Sequence, residues 1–177
     1  MELKGSQTEK NLWDAFAGES QARNKYSYYA STAKKEGYVQ IANILEETAA
    51  NEKEHAKVHF KHLKGIGNTV ENLKAAADGE NYEHTEMYPN FAKIAREEGF
   101  LDIAESFEKI GEVEKEHEKR FKKLLENIEK GIVFERNEEQ SWKCDNCGYV
   151  HHGKAAIDLC PACKHAKKFF EIKESNY

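Results

Sequence analysis

Two prolines, Pro89 and Pro161, interrupt the 177 residues, and a chain with so few helix breakers is expected to fold mainly as long helices. An all-β fold and a disordered chain are both disfavoured. Nor does the sequence hold a long apolar run. The longest stretch without Asp, Glu, Lys or Arg runs from Gly37 to Leu45, nine residues, whereas a membrane helix needs roughly 20. No membrane segment is expected. The start, MELKGSQTEKNLW, lacks the apolar core and small-residue cleavage site of a secretory signal, so a cytoplasmic address is expected. A basic excess is also missing. The net charge is -5, and residues 138–177 carry six Lys against six Asp or Glu, so the whole excess lies in residues 1–137. Nothing invites nucleic acid. Cysteine is absent until Cys144, after which Cys144, Cys147, Cys160 and Cys163 fall within twenty residues.

What is present is charge, 33% of residues against roughly 25% in an ordinary soluble domain, and helical periodicity. Apolar residues recur at threes and fours over 7–36, 38–64, 69–98 and 100–130, which predicts four helices in a domain of residues 1–137, followed by a small domain of residues 138–177. Gly37 and Gly99 leave short breaks, so the helices pair as two antiparallel hairpins. Between hairpins, Gly65 to Asn68 can reach only ~14 Å, while the second helix is about 40 Å long. That connection cannot cross a bundle. Either the third helix unwinds as far as Gly79, or two chains exchange hairpins. Pro89 is expected to kink the third helix and Gly79 to weaken it.

The hairpins repeat each other. EGY at 36–38 returns as EGF at 98–100, and EKEH at 52–55 returns at 114–117, both displaced by 62 residues; Tyr26 matches Tyr88 at the same displacement. A duplicated hairpin implies approximate twofold symmetry, with the two EKEH copies facing each other.

Carboxylates occupy the apolar stripes. On the fourth helix the stripe reads Ile103, Phe107, Ile110, Glu114, His117, Phe121, Leu124; on the second, Ile41, Leu45, Thr48, Glu52, His55. Glu19 lies in line with Leu12, Phe16 and Tyr26 on the first helix, and Glu80 and Glu83 share a stripe with Leu73, Ala76 and Met87 on the third. Glu80 matches Glu19 if the repeat shifts by one residue, and Glu86 points away. Several inward carboxylates need compensating cations, and metal ions supply that charge compactly. Glu and His three residues apart share one helix face. Two such pairs, plus a Glu from each remaining helix, match the known pattern of di-iron and di-manganese carboxylate bundles, and this mixed oxygen and imidazole donor set suits iron or manganese.

The cysteines form two CxxC turns separated by twelve residues. With no secretion signal, a tetrathiolate metal site is preferred to two disulfides. Zinc and iron both accept four thiolates, and a neighbouring redox-active metal pair favours iron. Trp142, Tyr149, Phe169 and Phe170 are expected to fill this domain's core, and His151, His152 and His165 to be exposed.

Taken together, AFAGESQARNKY, the doubled EKEH, GENYEHTEMYP, REEGF, CDNCGY and CPAC resemble the rubrerythrin family along essentially the whole chain. The resemblance implies an all-α ferritin-like four-helix bundle with a non-haem di-iron centre, and a C-terminal rubredoxin-like β-ribbon domain binding one iron. It also implies reduction of hydrogen peroxide in oxidative stress defence, with electrons from an external donor (an NAD(P)H-linked reductase or rubredoxin), in a head-to-tail homodimer.

Carried over by motif, the di-iron ligands are Glu19, Glu52, His55, Glu80, Glu83, Glu114 and His117. The resemblance implies that Glu52 and Glu114 would bridge, that Glu80 and His117 would hold one iron, and that Glu19 would hold the other, which would exchange Glu83 for His55 on reduction. By the same resemblance Tyr26 and Tyr88 would stand beside the irons, and Cys144, Cys147, Cys160 and Cys163 would hold the single iron. One departure is Lys164, where free-standing rubredoxins commonly have glycine. Two rival functions stand beside this one: a ferroxidase or oxidase using oxygen, and a non-catalytic interaction protein stabilised by zinc.

Overall fold

The structure is a computed structural model that describes residues 2–174; the last three residues of the expected second domain lie outside it. Helix α1 spans Gln7–Lys35 and α2 spans Val39–His62. The predicted third helix is α3 (Thr69–Tyr82), one π-helical turn (Glu83–Met87) and α4 (Tyr88–Glu97), and the fourth is α5 (Leu101–Glu129). Three strands follow, β1 (Glu135–Cys144), β2 (Val150–Ala155) and β3 (Phe170–Ile172). The chain divides into two compact units, Met1–Asn68 and Thr69–Tyr177.

Every predicted helix ends on the same device. The chain turns through a left-handed residue whose N–H, with that of the next residue, caps the last carbonyls in a Schellman motif. Gly37 (φ 90°), Gly99 (φ 89°) and Gly131 (φ 66°) take the left-handed position. The N–H groups of Tyr38, Phe100 and Ile132 then reach back to the carbonyls of Ala33, Ala95 and Asn127 at 2.8–2.9 Å. After α2 the position falls to Lys64 (φ 57°), and Gly65 donates to the Phe60 carbonyl at 2.9 Å. At the other end of the first unit, Ser6 caps α1 by accepting from the Glu9 N–H, as an N-cap serine should.

In the first unit α1 and α2 meet along small residues. Ala30, Ala33 and Ala42 are buried and pack with Leu45, which lets the helices approach closely, while Phe16 and Phe60 stack at 4.7 Å near the far end. In the second unit the Tyr88 Cβ lies 3.3 Å from where a side chain on Gly111 would begin. A side chain there would have to push Tyr88 aside by a few tenths of an ångström, so glycine suits that crossing.

The third helix departs from expectation. It does not unwind toward Gly79, because α3 is helical from Thr69. Nor does Pro89 interrupt it, since the π turn comes first and Pro89 falls in the opening turn of α4, where a missing N–H costs little. The turn widens because Tyr88 donates to the carbonyl of Glu83, five residues back, and Thr85 Oγ1 donates to the Asn81 carbonyl at 2.6 Å. The repeat explains why it is there. Thr8, Asn11, Leu12, Gly18 and Glu19 match Thr69, Asn72, Leu73, Gly79 and Glu80 at a displacement of 61, whereas Tyr26, Ala30 and Gly37 match Tyr88, Ala92 and Gly99 at 62. One extra residue therefore entered between Glu80 and Tyr88, and the π turn absorbs it.

The strands form an antiparallel sheet in the order β2-β1-β3, with an irregularity in β1 between Glu135 and Gln140. Trp142 is fully buried beneath it with Phe170, Cys144, Cys160 and Ala156, and Phe169 packs against them. The indole Nε1 donates to the Gly153 carbonyl at 2.9 Å, which satisfies its one polar group. Tyr149 does not join this core; it is 36% exposed. His165 is half-buried rather than exposed, edge-on to Phe169 at 4.5 Å, and His151 is also half-buried. No helix among the described residues is long and apolar enough to cross a membrane.

Candidate metal centres

Each hairpin assembles one carboxylate–histidine cluster. In the first unit, Glu52 and His55 lie one turn apart on α2, and His55 Nδ1 donates to Glu52 Oε2 at 2.8 Å. Glu19 reaches across from α1, its Oε1 3.9 Å from the same nitrogen. In the second unit, His117 Nδ1 stands 2.6 Å from Glu114 Oε2 and 3.7 Å from Glu80 Oε2. Within each trio a ligand atom from every residue lies within 4.8 Å of the others. The match between clusters follows from the repeat, since α2 and α5 carry the same EKEH turn at the same distance from their starts.

Charge in the second cluster shows what it needs. Burial raises the Glu80 pKa above the usual carboxylate range, and the Glu114 carboxylate and a hydrogen bond to it add to the effect. Two carboxyls at this separation share a proton unless a cation stands between them. Glu83, on the π turn, adds its charge to Glu80. Tyr88 is held in its neutral phenol form by burial and then by Glu83, Glu114 and Glu80, so it belongs beside this cluster. Tyr26 is half-buried, with its ring 6.5 Å from that of Tyr29, and Glu86 is exposed.

A buried cluster around Glu118 escaped sequence reasoning. Glu118 is the one buried charged residue among those described. It accepts from Asn81 Nδ2 at 3.0 Å and from His84 Nε2 at 2.8 Å, and Lys122 approaches from the next turn of α5. Lys122 and then His84 hold its pKa at about 2. In the sequence it sits inside a run of charged residues, EKEHEKR, which gives no sign of burial. The usable signal was the repeat, because its counterpart is Ala56.

The four sulfurs draw together in the second unit. Cys144 Sγ lies 3.7 Å from Cys163 Sγ, and Cys147 Sγ 3.6 Å from Cys160 Sγ. All four are free thiols. A tetrahedral metal with bonds of ~2.3 Å sets sulfur–sulfur edges of ~3.8 Å, so the spacing fits a tetrathiolate ion. Two equivalent knuckles produce it. Cys144 N–H donates to the Tyr149 carbonyl and Gly148 N–H to the Cys144 carbonyl, both at 2.8 Å; Cys160 to His165 and Lys164 to Cys160 repeat this at 2.8 and 2.9 Å. Gly148 (φ 79°) and Lys164 (φ 60°) occupy equivalent left-handed positions.

The thiols divide. Against an opposing N–H from Tyr149, Cys163 and the other crowding thiols push Cys147 to about 12. Burial opposes ionisation of Cys163, but the His165 N–H and hydrogen bonds from Cys147 and Cys160 bring it to about 6. Only a cation lets all four ionise together.

The rubrerythrin family model matches residues 10–125, and the model for the rubrerythrin rubredoxin-like domain matches residues 142–171. The chain belongs to the rubrerythrin family. Among relatives, rubrerythrin-1 of Clostridium acetobutylicum is 53% identical over 99% of this chain and 98% of its own. Rubrerythrin of Porphyromonas gingivalis is 54% identical over 99% and 94%, and that of Nitratidesulfovibrio vulgaris 52% over 99% and 98%. As in a rubrerythrin, a ferritin-like helical part with a glutamate and histidine cluster compatible with a di-iron centre is joined to a rubredoxin-like four-cysteine site. The family marks the chain as an iron-dependent oxidoreductase.

Proposed function

We propose that this rubrerythrin-family chain reduces hydrogen peroxide to two waters, taking up two electrons and two protons per peroxide. The supporting observation is the repeated Glu–Glu–His cluster, in the same chain as a set of four converging thiols. Glu19, Glu52, His55, Glu80, Glu83, Glu114 and His117 would hold two irons, and the four cysteines a third. When bound, the paired irons supply Lewis acidity and one electron each, and the thiolate iron passes electrons singly from an NAD(P)H-linked reductase or rubredoxin. The residues manage charge and protons. Five carboxylates would exceed two ferrous ions by one negative charge, which would favour release of one carboxylate, Glu83, with His55 taking its place. Tyr88, kept as a phenol among carboxylates, is a proton donor at the second cluster; Tyr26 is assigned the matching place by the repeat.

The same reading fixes the assembly. A ferritin-like bundle needs its middle connection to cross the bundle. With Glu52 ten residues before the end of α2 and Glu80 eleven after the start of α3, aligning them in parallel separates those ends by roughly 31 Å. The seven steps from His62 to Thr69 span at most about 25 Å, and the cap at Lys64 and Gly65 shortens them. Each first hairpin is therefore completed by the second hairpin of a partner chain, in a homodimer. Ile41, Ile44, Ile103, Ile110 and Leu124, each exposed by 41–55% in the single chain, supply apolar surface for that exchange. The proposed domains remain residues 1–137 and 138–177 in composition, with the first built from two chains.

Peroxide consumption by the iron-loaded protein with an NAD(P)H-linked reductase tests the activity. Cys144→Ser should spare one oxidation of the prereduced protein by peroxide and abolish steady turnover. Faster reoxidation by oxygen than by peroxide would overturn the proposal in favour of an oxidase. For the assembly, Glu52→Ala and Glu114→Ala chains mixed after unfolding should form heterodimers in which one of the two centres regains both glutamates. An active, iron-loaded monomer would refute the exchange.

A further inference from the structure

The two hairpins are copies, but only the second carries a π turn and a buried carboxylate. Glu118 on α5 holds the residues on either side of the turn's first position, Asn81 at 3.0 Å and His84 at 2.8 Å. Both bonds have a fixed sense. An ionised carboxylate only accepts, so Asn81 presents its amide nitrogen and His84 carries its proton on Nε2. The pair flank Glu83, whose carbonyl accepts the i+5 bond that defines the turn. Side-chain exposures of 9% for Glu118 and 13% for His84 mean that water cannot readily replace these partners.

The first hairpin shows the alternative. There the counterpart of Glu118 is Ala56 and that of Asn81 is Ser20. Neither can form the bridge, α1 continues as an ordinary α-helix through the equivalent segment, and an open groove of about 300 Å³ lined by Ser20, Arg23 and Ala56 takes the place of the carboxylate. An inserted residue in a helix can also be expelled by shifting register along one end, so something must hold the wide turn in place. Thr85 satisfies the Asn81 carbonyl, and Glu118 ties the turn to α5, the helix that bears Glu114 and His117.

We propose that Glu118 is a positioning residue for the di-iron centre: by gripping Asn81 and His84 it keeps the π turn at 83–87 and so sets Glu83 beside Glu80 on one half of the centre only. The inserted residue makes the halves unequal, and Glu118 preserves the inequality that a carboxylate exchanging with His55 requires. This rests on the ligand set proposed above, and the test separates the two.

The test uses the full-length chain, first without metal, by amide hydrogen exchange. In Glu118→Ala, exchange of the segment 83–88 should rise at least tenfold over wild type while α1 and α2 keep their rates. Glu118→Gln, which can still accept from Asn81, should stay within about threefold. Equal exchange at 83–88 in all three proteins overturns the proposal, and so does an acceleration spread evenly over every helix, which reports only lost fold.

The second arm loads iron and compares the ferric absorption of the carboxylate centre and the iron count. Glu118→Ala should alter the spectrum or lose one iron of the pair, with Glu118→Gln restoring it and the thiolate iron unchanged. An unaltered spectrum and count also overturn the positioning role. If wild type itself fails to hold two irons outside the cysteines, the ligand set fails, while the exchange result still judges the grip on the turn.

Discussion

The two cysteine knuckles are an internal experiment on backbone strain. Gly148 and Lys164 hold equivalent places, one after each CxxC, with φ of 79° and 60°, and each donates its N–H back to the first cysteine of its own turn. A lysine there sets its Cβ against the carbonyl oxygen at a cost of roughly 1–2 kcal/mol. Replacing it by glycine removes that cost but frees the unfolded chain, returning about 0.4–1 kcal/mol. Lys164→Gly should therefore stabilise the ribbon by about 0.5–1 kcal/mol, and Gly148→Ala should destabilise it by a similar amount.

If iron escapes through ribbon opening, those energies correspond to about a two- to fivefold change in release rate. The assay is the decay of thiolate–iron absorption in the full-length protein under excess chelator, at several temperatures. Slower release from Lys164→Gly and faster release from Gly148→Ala are expected. Changes of the same sign, or a Lys164→Gly ribbon that loses iron faster than wild type, would refute the strain argument and give the Lys164 side chain a role of its own.

Other predictions follow from packing. Gly65→Ala places a Cβ inside the space held by the Phe60 ring and should lower the melting temperature of the first hairpin clearly. Ala42→Leu overfills the α1–α2 seam, where Ala42 is buried against Ala30 and Ala33, and should cost about 1–3 kcal/mol in denaturant unfolding. Trp142→Phe removes the donor to the Gly153 carbonyl and should cost about 1–2 kcal/mol, seen as earlier thermal loss of the thiolate–iron band with the helical signal unchanged.

Much of this molecule is legible in its sequence, because its signals are local or repeated. Helix ends were marked by Gly37 and Gly99, and those glycines do adopt the left-handed conformation. The EKEH turns predicted side chains sharing a helix face, and Glu52 with His55 and Glu114 with His117 do so. The gathering of four thiols follows from two CxxC turns whose backbone bonds are the same. What could not be read depends on partners distant in sequence. Tyr149 looks like a core aromatic, but its position in the turn between Gly148 and β2 leaves it outside a core already filled by Trp142 and Phe170. Glu118 looks like solvent-facing charge until Asn81 and His84 are brought to it from another helix. Pro89 promised a kink, and the chain instead spent its irregularity six residues earlier, in a turn that no propensity scale anticipates.

That turn also changes how the duplication should be understood. Two identical hairpins would give a symmetric centre, with a glutamate and a Glu–His pair on each side. Under the proposed function, symmetry alone would offer no site where a ligand could leave one iron without an equal claim on the other. The displacement of 61 up to Glu80 and of 62 from Tyr88 onward shows that one residue broke the equivalence at the point where the second hairpin gains Glu83. Asn81 and His84 in that segment, and Glu118 opposite them on α5, stand where the first hairpin has Ser20, an ordinary α-helix and Ala56. In the positioning proposal the buried, hydrogen-bonded Glu118 fixes the π turn and with it the place of Glu83 beside Glu80, an arrangement that the first hairpin, with Ala56 and Ser20 at the matching positions, has no residues to build.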